Sequence, residues 1–175
     1  NTVIDALMEG LNILGDSWTP KVAELSCMDS DREAVLITIH RRESFGDAVT
    51  GILSAIERLA LAYPQMEFVF PVHPNPNIRR PVHEALAEVP NITLTEPLDY
   101  PHFIWAMSKA RLILTDSGGV QEEAPSLGIP VLVARNVTER PEGVEAGVAT
   151  LVGNDEEQIF TTMAEFLDAA AGHQK

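Results

Sequence analysis

The sequence predicts a parallel α/β sheet with helices on both faces, and three observations predict it. Short apolar runs alternate with amphipathic stretches along the whole chain. The runs are continuous rather than polar-apolar alternating, which is the mark of strands covered on both sides. The chemically interesting residues gather just after those runs, on loops 40–46, 73–77, 95–103, 116–119 and 134–142. Open α/β sheets bind ligands at that edge. The expectation is a Rossmann-like sheet of about six strands joined by right-handed crossovers.

The elements follow in order. Val3, Ile4, Leu7, Met8 and Leu11 recur at helical spacing, and Gly10 and Gly15 weaken and then end that helix. Residues 16–32 are polar, contain Pro20 and carry weak signals; Trp18 reads as a packing residue. Ala34 to His40 is the first strand. Asp47 reads as the cap of a helix with Val49, Ile52, Leu53, Ile56, Leu59 and Tyr63 on one face, ended by Pro64. Glu67 to His73 is the second strand. Asn75 then caps a helix with Pro76 at its first position, burying Ile78, Val82, Ala85, Leu86 and Val89.

Asn91 to Leu94 is a short third strand. Pro97 and Pro101 bracket a loop, His102 reads as a loop residue, and Phe103, Ile104 and Met107 begin another helix, where Trp105 reads as packing. Arg111 to Thr115 is the fourth strand. Pro130 to Val133 is the fifth, with proline at its permitted first position. Val148 to Val152 is the sixth. A last helix from about Asp155 turns Ile159, Met163, Phe166 and Leu167 inward. This divides the chain into a helix and linker over residues 1–32 and a Rossmann-like core over 33–170. The first residue is Asn1, already in a helical pattern, which suggests a piece of a longer protein.

Composition narrows the function. The 175 residues are 45% hydrophobic, enough for one domain with a core. The net charge is −14, which argues against nucleic acid, because phosphate neutralisation needs clustered Lys and Arg. A phosphate site here must work through local donors. Cys27 is the single cysteine, so no internal disulfide forms, which fits a reducing cytoplasm. No apolar run approaches the roughly 18 residues that span a bilayer, so no membrane role is expected.

The central stretch is Asp116-Ser117-Gly118-Gly119-Val120-Gln121-Glu122-Glu123, between a buried strand and a short helix stopped at Gly128. A strand–glycine–helix turn leaves backbone N–H groups free at a helix start, aimed above the strand. Two glycines remove the Cβ atoms that would hold a ligand away. Ser117 adds a hydroxyl, and Glu122 or Glu123 can accept from sugar hydroxyls. The ligand this suggests is a nucleotide or nucleotide sugar. The same turn also occurs in α/β proteins that bind nothing.

Four motifs then appear in order: His40-Arg41-Arg42-Glu43-Ser44-Phe45-Gly46, Pro71-Val72-His73-Pro74-Asn75-Pro76, Thr115 to Pro125, and Thr138-Glu139-Arg140-Pro141-Glu142. Together they resemble the C-terminal half of the non-hydrolysing UDP-N-acetylglucosamine 2-epimerases, over essentially the whole chain. The resemblance implies half of a glycosyltransferase-B fold and interconversion of UDP-N-acetylglucosamine and UDP-N-acetylmannosamine. It implies elimination of UDP to a 2-acetamidoglucal and re-addition on the other face, with no metal or redox cofactor. It also implies a homodimeric full-length enzyme of cell-surface polysaccharide synthesis. The carboxylates that handle the C2 proton belong to an N-terminal domain absent from this sequence, so the isolated chain is expected to be inactive.

Carried over residue by residue, the resemblance places His40 near the diphosphate and the breaking C1–O bond. Ser117, Gly118 and Gly119 contact the phosphates, and Glu123 holds the ribose hydroxyls. Arg140 reaches the phosphates or the sugar, the alternative being an ion pair with Glu139 or Glu142. Phe103 lies on the uracil side, with backbone around Leu98 reading the base edge; Phe103 reads equally as core. Arg41 and His73 match positions that bind a second UDP-N-acetylglucosamine as an activator. His83 and His102 read as structural or solvated. Two other readings stay open: a glycosyltransferase-B donor domain, and a non-catalytic nucleotide-binding module.

Overall fold

The strands that form are β1 (Ala34–Thr38), β2 (Glu67–Pro71), β3 (Ile92–Thr95), β4 (Leu112–Thr115), β5 (Val131–Val133) and β6 (Ala149–Leu151). The computed structural model describes residues 2–40, 46–136, 144, 147 and 149–171. All the strand pairs are parallel, and the order across the sheet is β3-β2-β1-β4-β5-β6. The chain therefore starts in the middle, builds outward to β3, then returns to the other side of β1 and builds outward again. The order reverses between β1 and β4. That switch point is where sheets of this kind leave a crevice above the strand ends.

The helices are α1 (Thr2–Leu14), α2 (Asp47–Ala62), α3 (Pro76–Leu86), α4 (Tyr100–Lys109), α5 (Gly118–Ser126) and α6 (Glu156–Ala171). Side chains alternate across each strand, so each sheet face has its own core. Val35, Ile37, Phe68, Phe70, Leu112, Leu114 and Leu132 meet α2, α3 and α6 on one face. Leu36, Val69, Ile113, Val131 and Val133 meet α1, α4 and α5 on the other. The strands read as unbroken apolar runs because both their faces are covered.

Several expectations are corrected. Five of the strands are one or two residues shorter than their apolar runs, and β3 keeps its expected length but is shifted by one residue, to Ile92–Thr95. Asp47 is the first helical residue of α2, not its cap: Gly46 holds the N-cap position at φ 76°, with no side-chain bond. In α1, Leu7 is fully buried but Val3 and Met8 are exposed, so the buried stripe is narrower than the spacing implied. In α6, Ile159, Met163 and Leu167 are buried, whereas Phe166 lies at the surface.

Residues 16–32 also hold more structure than their polarity suggests. A 3-10 helix spans Ala23–Asp29 and buries Leu25 and Met28 in the core shared with α1. At Gly10 α1 packs tightly on α4, since a Cβ there would lie 2.8 Å from Ile104 Cδ1. His102 is not in a loop. Pro101 lies in the first turn of α4, where the missing N–H costs nothing, and His102 follows it inside the helix. Its Nδ1 pairs with Asp99, the N-cap of α4, while its Nε2 accepts the Lys21 N–H at 3.0 Å. Trp18 stands edge-on to the same ring at 5.1 Å. The early segment is thus fastened to the helix that follows the loop 95–99. Among the described residues, no helix is long and apolar enough to cross a membrane.

Candidate functional site

The last rungs of β1 and β4 are tied together below the crevice. Asp116 N–H donates to Thr38 O, and the Thr38 and Thr115 hydroxyls bond at 2.6 Å with no water access at Thr115. Ser117 N–H donates to Thr115 Oγ1 at 3.0 Å. These bonds fix the turn that launches α5. Ser117 is its N-cap in extended conformation, yet its side chain makes no capping bond. Serine at an N-cap ordinarily accepts from the first turn. Here the first-turn amides of Gly118 and Gly119 keep the orientation of a ready anion site.

Glu123 sits one turn further along α5, only 9% exposed. Its Oε2 is buried without a hydrogen-bond partner. Burial, and then the charge of Glu122, push its carboxyl above the usual range. An unpartnered buried carboxylate oxygen is costly and needs an explanation in any native fold. A ligand hydroxyl would supply it. Gly119 keeps this space open: a Cβ there would stand 3.4 Å from Glu123 Oε1 and 3.9 Å from Ser117 Oγ.

Across the crevice, His40 follows β1. Its backbone N–H donates to both oxygens of Asp116 at 3.1 Å, and its Nδ1 lies 3.1 Å from Asp116 Oδ1. Asp116 is completely buried, whereas the His40 side chain is 44% exposed. His73 stacks beside it, with ring centroids 6.4 Å apart at 19°. His73 Nδ1 accepts the Asn75 N–H at 3.1 Å, so its Nε2 carries the proton.

A cleft of about 240 Å³ gathers these groups: His40, His73, Ser117 and Glu123 line it together with the apolar Val72, Pro97, Leu98, Phe103 and Val120. A mostly apolar lining with a few convergent polar groups suits a ligand with a charged end and a flat end. Phe103 both lines the cleft and packs on the core. A larger cleft of about 410 Å³ lies at the opposite strand ends, among Ala110, Leu112, Ile129, Pro130 and Leu167. Among the described residues its walls are mostly apolar apart from Arg111, and no carboxylate or imidazole lines it.

The structure therefore brings His40, His73, Leu98, Phe103, Ser117 and Glu123 into one cleft, with Gly118 and Gly119 at the start of the helix beneath it. Arg41 and Arg140 lie outside the described residues. Sequence reasoning passed over Asp116, Thr38 and Thr115 as functional residues. The available signal was a polar pair, Thr115-Asp116, ending an otherwise apolar buried strand.

Fold and site define a Rossmann-like α/β domain with its cleft at the topological switch point. The family profile described as UDP-N-acetylglucosamine 2-epimerase matches residues 1–175. The chain is 44% identical to the UDP-N-acetylglucosamine 2-epimerase of Neisseria meningitidis serogroup A over 177 residues, covering all of this chain and 48% of that protein. It is 46% identical to that of Escherichia coli K12 over 170 residues, covering 95% and 45%. A crystal structure of the N. meningitidis enzyme bound to UDP-GlcNAc superposes with a TM-score of 0.86 at 44% identity, over 96% of this chain and 46% of that one. The S. aureus MnaA–UDP co-structure superposes with 0.88 at 39% identity, over 96% and 44%. A UDP-forming trehalose-phosphate synthase from Burkholderia vietnamiensis, 15% identical with a TM-score of 0.66, shares the fold alone. The chain belongs to the UDP-N-acetylglucosamine 2-epimerase family, and it spans about half the length of the curated relatives it matches.

Proposed function

We propose that this chain is the UDP-binding, C-terminal half of an enzyme that interconverts UDP-N-acetylglucosamine and UDP-N-acetylmannosamine. The observation that carries the reading is Glu123 Oε2, buried and unpartnered beside an N-cap serine that caps nothing. Two ribose hydroxyls donating to that carboxylate satisfy it. The diphosphate then falls on the Gly118 and Gly119 amides and the Ser117 hydroxyl, and uracil against Leu98 and Phe103. Arg140 adds a positive charge to the phosphates or the sugar.

In the reaction, a base of the N-terminal half removes the C2 proton, and the C1–O bond breaks. Its electron pair leaves with UDP, giving a 2-acetamidoglucal. His40, on the diphosphate side, donates the proton that offsets the charge on the departing oxygen. Re-addition of UDP and return of a proton to the opposite face of C2 give the epimer. No redox change occurs and no cofactor is consumed. The isolated chain lacks the base and is inactive alone.

Calorimetry tests the binding half of this account. Glu123→Ala should weaken UDP by about 10- to 150-fold, the loss expected for hydrogen bonds to a charged group of about 1.5–3 kcal/mol. Joining the chain to an N-terminal half from a relative tests the rest. Epimerisation by the joined protein supports the reading, and sugar transfer to an acceptor in its place sinks it. Turnover by the chain alone contradicts the division of labour.

A further inference from the structure

We propose that Asp116 is a positioning residue that fixes the tautomer of His40 and so decides which ring nitrogen faces the ligand. The inference rests on the placement of His40 in the UDP cleft given above. Asp116 is fully buried, so its side chain cannot itself touch a ligand in the cleft. Its backbone N–H closes the last rung between β1 and β4, which leaves the carboxylate little freedom. Both its oxygens accept the His40 backbone N–H at 3.1 Å, the pattern that favours an ionised carboxyl.

An ionised carboxylate can only accept. With Oδ1 3.1 Å from Nδ1, a bare Nδ1 would set its lone pair against the carboxylate, so on this proposal the His40 ring carries its proton on Nδ1. Nε2, on the other side of the ring, is then the atom left for the cleft that His40 lines. In the neutral ring Nε2 holds a lone pair. In the charged ring it holds the proton that passes to the departing diphosphate oxygen. The neighbouring His73 is arranged in the opposite sense: its Nδ1 accepts the Asn75 N–H and its Nε2 carries the proton. Two stacked imidazoles therefore offer the cleft different atoms, because different partners hold their Nδ1 positions.

The test reads the tautomer directly. In the ¹⁵N-histidine-labelled chain, with His40 assigned by its loss in His40→Asn, two-bond ¹H–¹⁵N spectra should show Nδ1 protonated and Nε2 bare in the neutral ring. Asp116→Asn, which turns an amide N–H₂ toward Nδ1, should move the proton to Nε2. In the enzyme formed with the N-terminal half, the same substitution should lower kcat by about 100-fold or more, the scale of a lost proton-transfer role. The UDP Kd should stay within about threefold. A wild-type spectrum with Nε2 protonated and Nδ1 bare overturns the proposal, and it does so even if Asp116→Asn fails to fold. Loss of UDP affinity with kcat retained also overturns it, since that is what a merely structural aspartate would give. If the joined enzyme does not epimerise at all, the functional reading fails, and the histidine spectrum still decides the role of Asp116.

Discussion

The helices of this domain begin in two different ways. Asn75 caps α3 by accepting the Asn77 N–H at 2.9 Å, and Asp99 caps α4 by accepting the His102 N–H at 3.1 Å. Asp155 does the same for α6, accepting the Gln158 N–H at 2.9 Å. The two helices that flank the switch point do not. Gly46 precedes α2 and has no side chain to give, and Ser117 precedes α5 with a hydroxyl that makes no cap. Among the described residues, α3, α4 and α6 are capped by a side chain, and the two helices that follow β1 and β4 are not. On the function proposed above, the uncapped start of α5 is held for the phosphates of the ligand.

The largest effect should come from the acid at the open end. Glu123→Ala removes a buried carboxylate that has an unpartnered oxygen, so the free chain should lose no stability while UDP affinity collapses; a matching loss of both would show that Glu123 is structural. The pH dependence has a definite sign. The folded carboxyl is raised above its ordinary value by burial and by Glu122, so its contribution to the stability of the free chain is full at low pH and is lost as pH rises through that raised value. Ribose hydroxyls need the ionised form. UDP affinity should therefore fall as pH drops through the same range, starting above the ordinary Glu value of about 4.3. Calorimetry in buffers of different ionisation enthalpy should show a proton released on binding there, and Glu123→Gln should abolish both the release and the pH dependence.

Next in size is a capped helix. Asn75→Ala should cost about 1 kcal/mol of stability by denaturant titration and leave UDP binding unchanged. The smallest effect is its mirror image. Ser117→Ala should change stability by less than about 0.5 kcal/mol. It should weaken UDP by roughly 2- to 10-fold, the worth of one neutral hydrogen bond. If Ser117→Ala destabilises the chain as Asn75→Ala does, the two helix starts are alike and the contrast is lost.

Most of the fold was legible because both periods were strong. The strand runs Ala34 to Thr38 and Leu112 to Thr115 have no polar interruption, and α2 repeats Ile52, Ile56 and Leu59 at helical spacing. The site glycines and Ser117 were legible for the same reason: they sit between a finished strand and a starting helix. What failed depended on contacts between distant residues. Asn91 reads as the first residue of a strand, yet it precedes β3, and its amide donates to the carbonyls of Ala60, Tyr63 and Met66 and closes the end of α2. His102 reads as a loop histidine because it follows the second of two bracketing prolines, yet proline in a first turn is compatible with a helix start. Asp116 could not be given a role without knowing that β1 and β4, 77 residues apart at Thr38 and Thr115, are neighbours.

The most direct test is a ¹H–¹⁵N NMR titration of the chain with UDP. The account predicts that the largest amide shifts fall on Gly118, Gly119 and Val120, with Leu98, Phe103 and His40 following at the same ligand concentration. Shifts concentrated instead around Arg111, Leu112 and Ile129, at the larger cleft on the opposite strand ends, would contradict it.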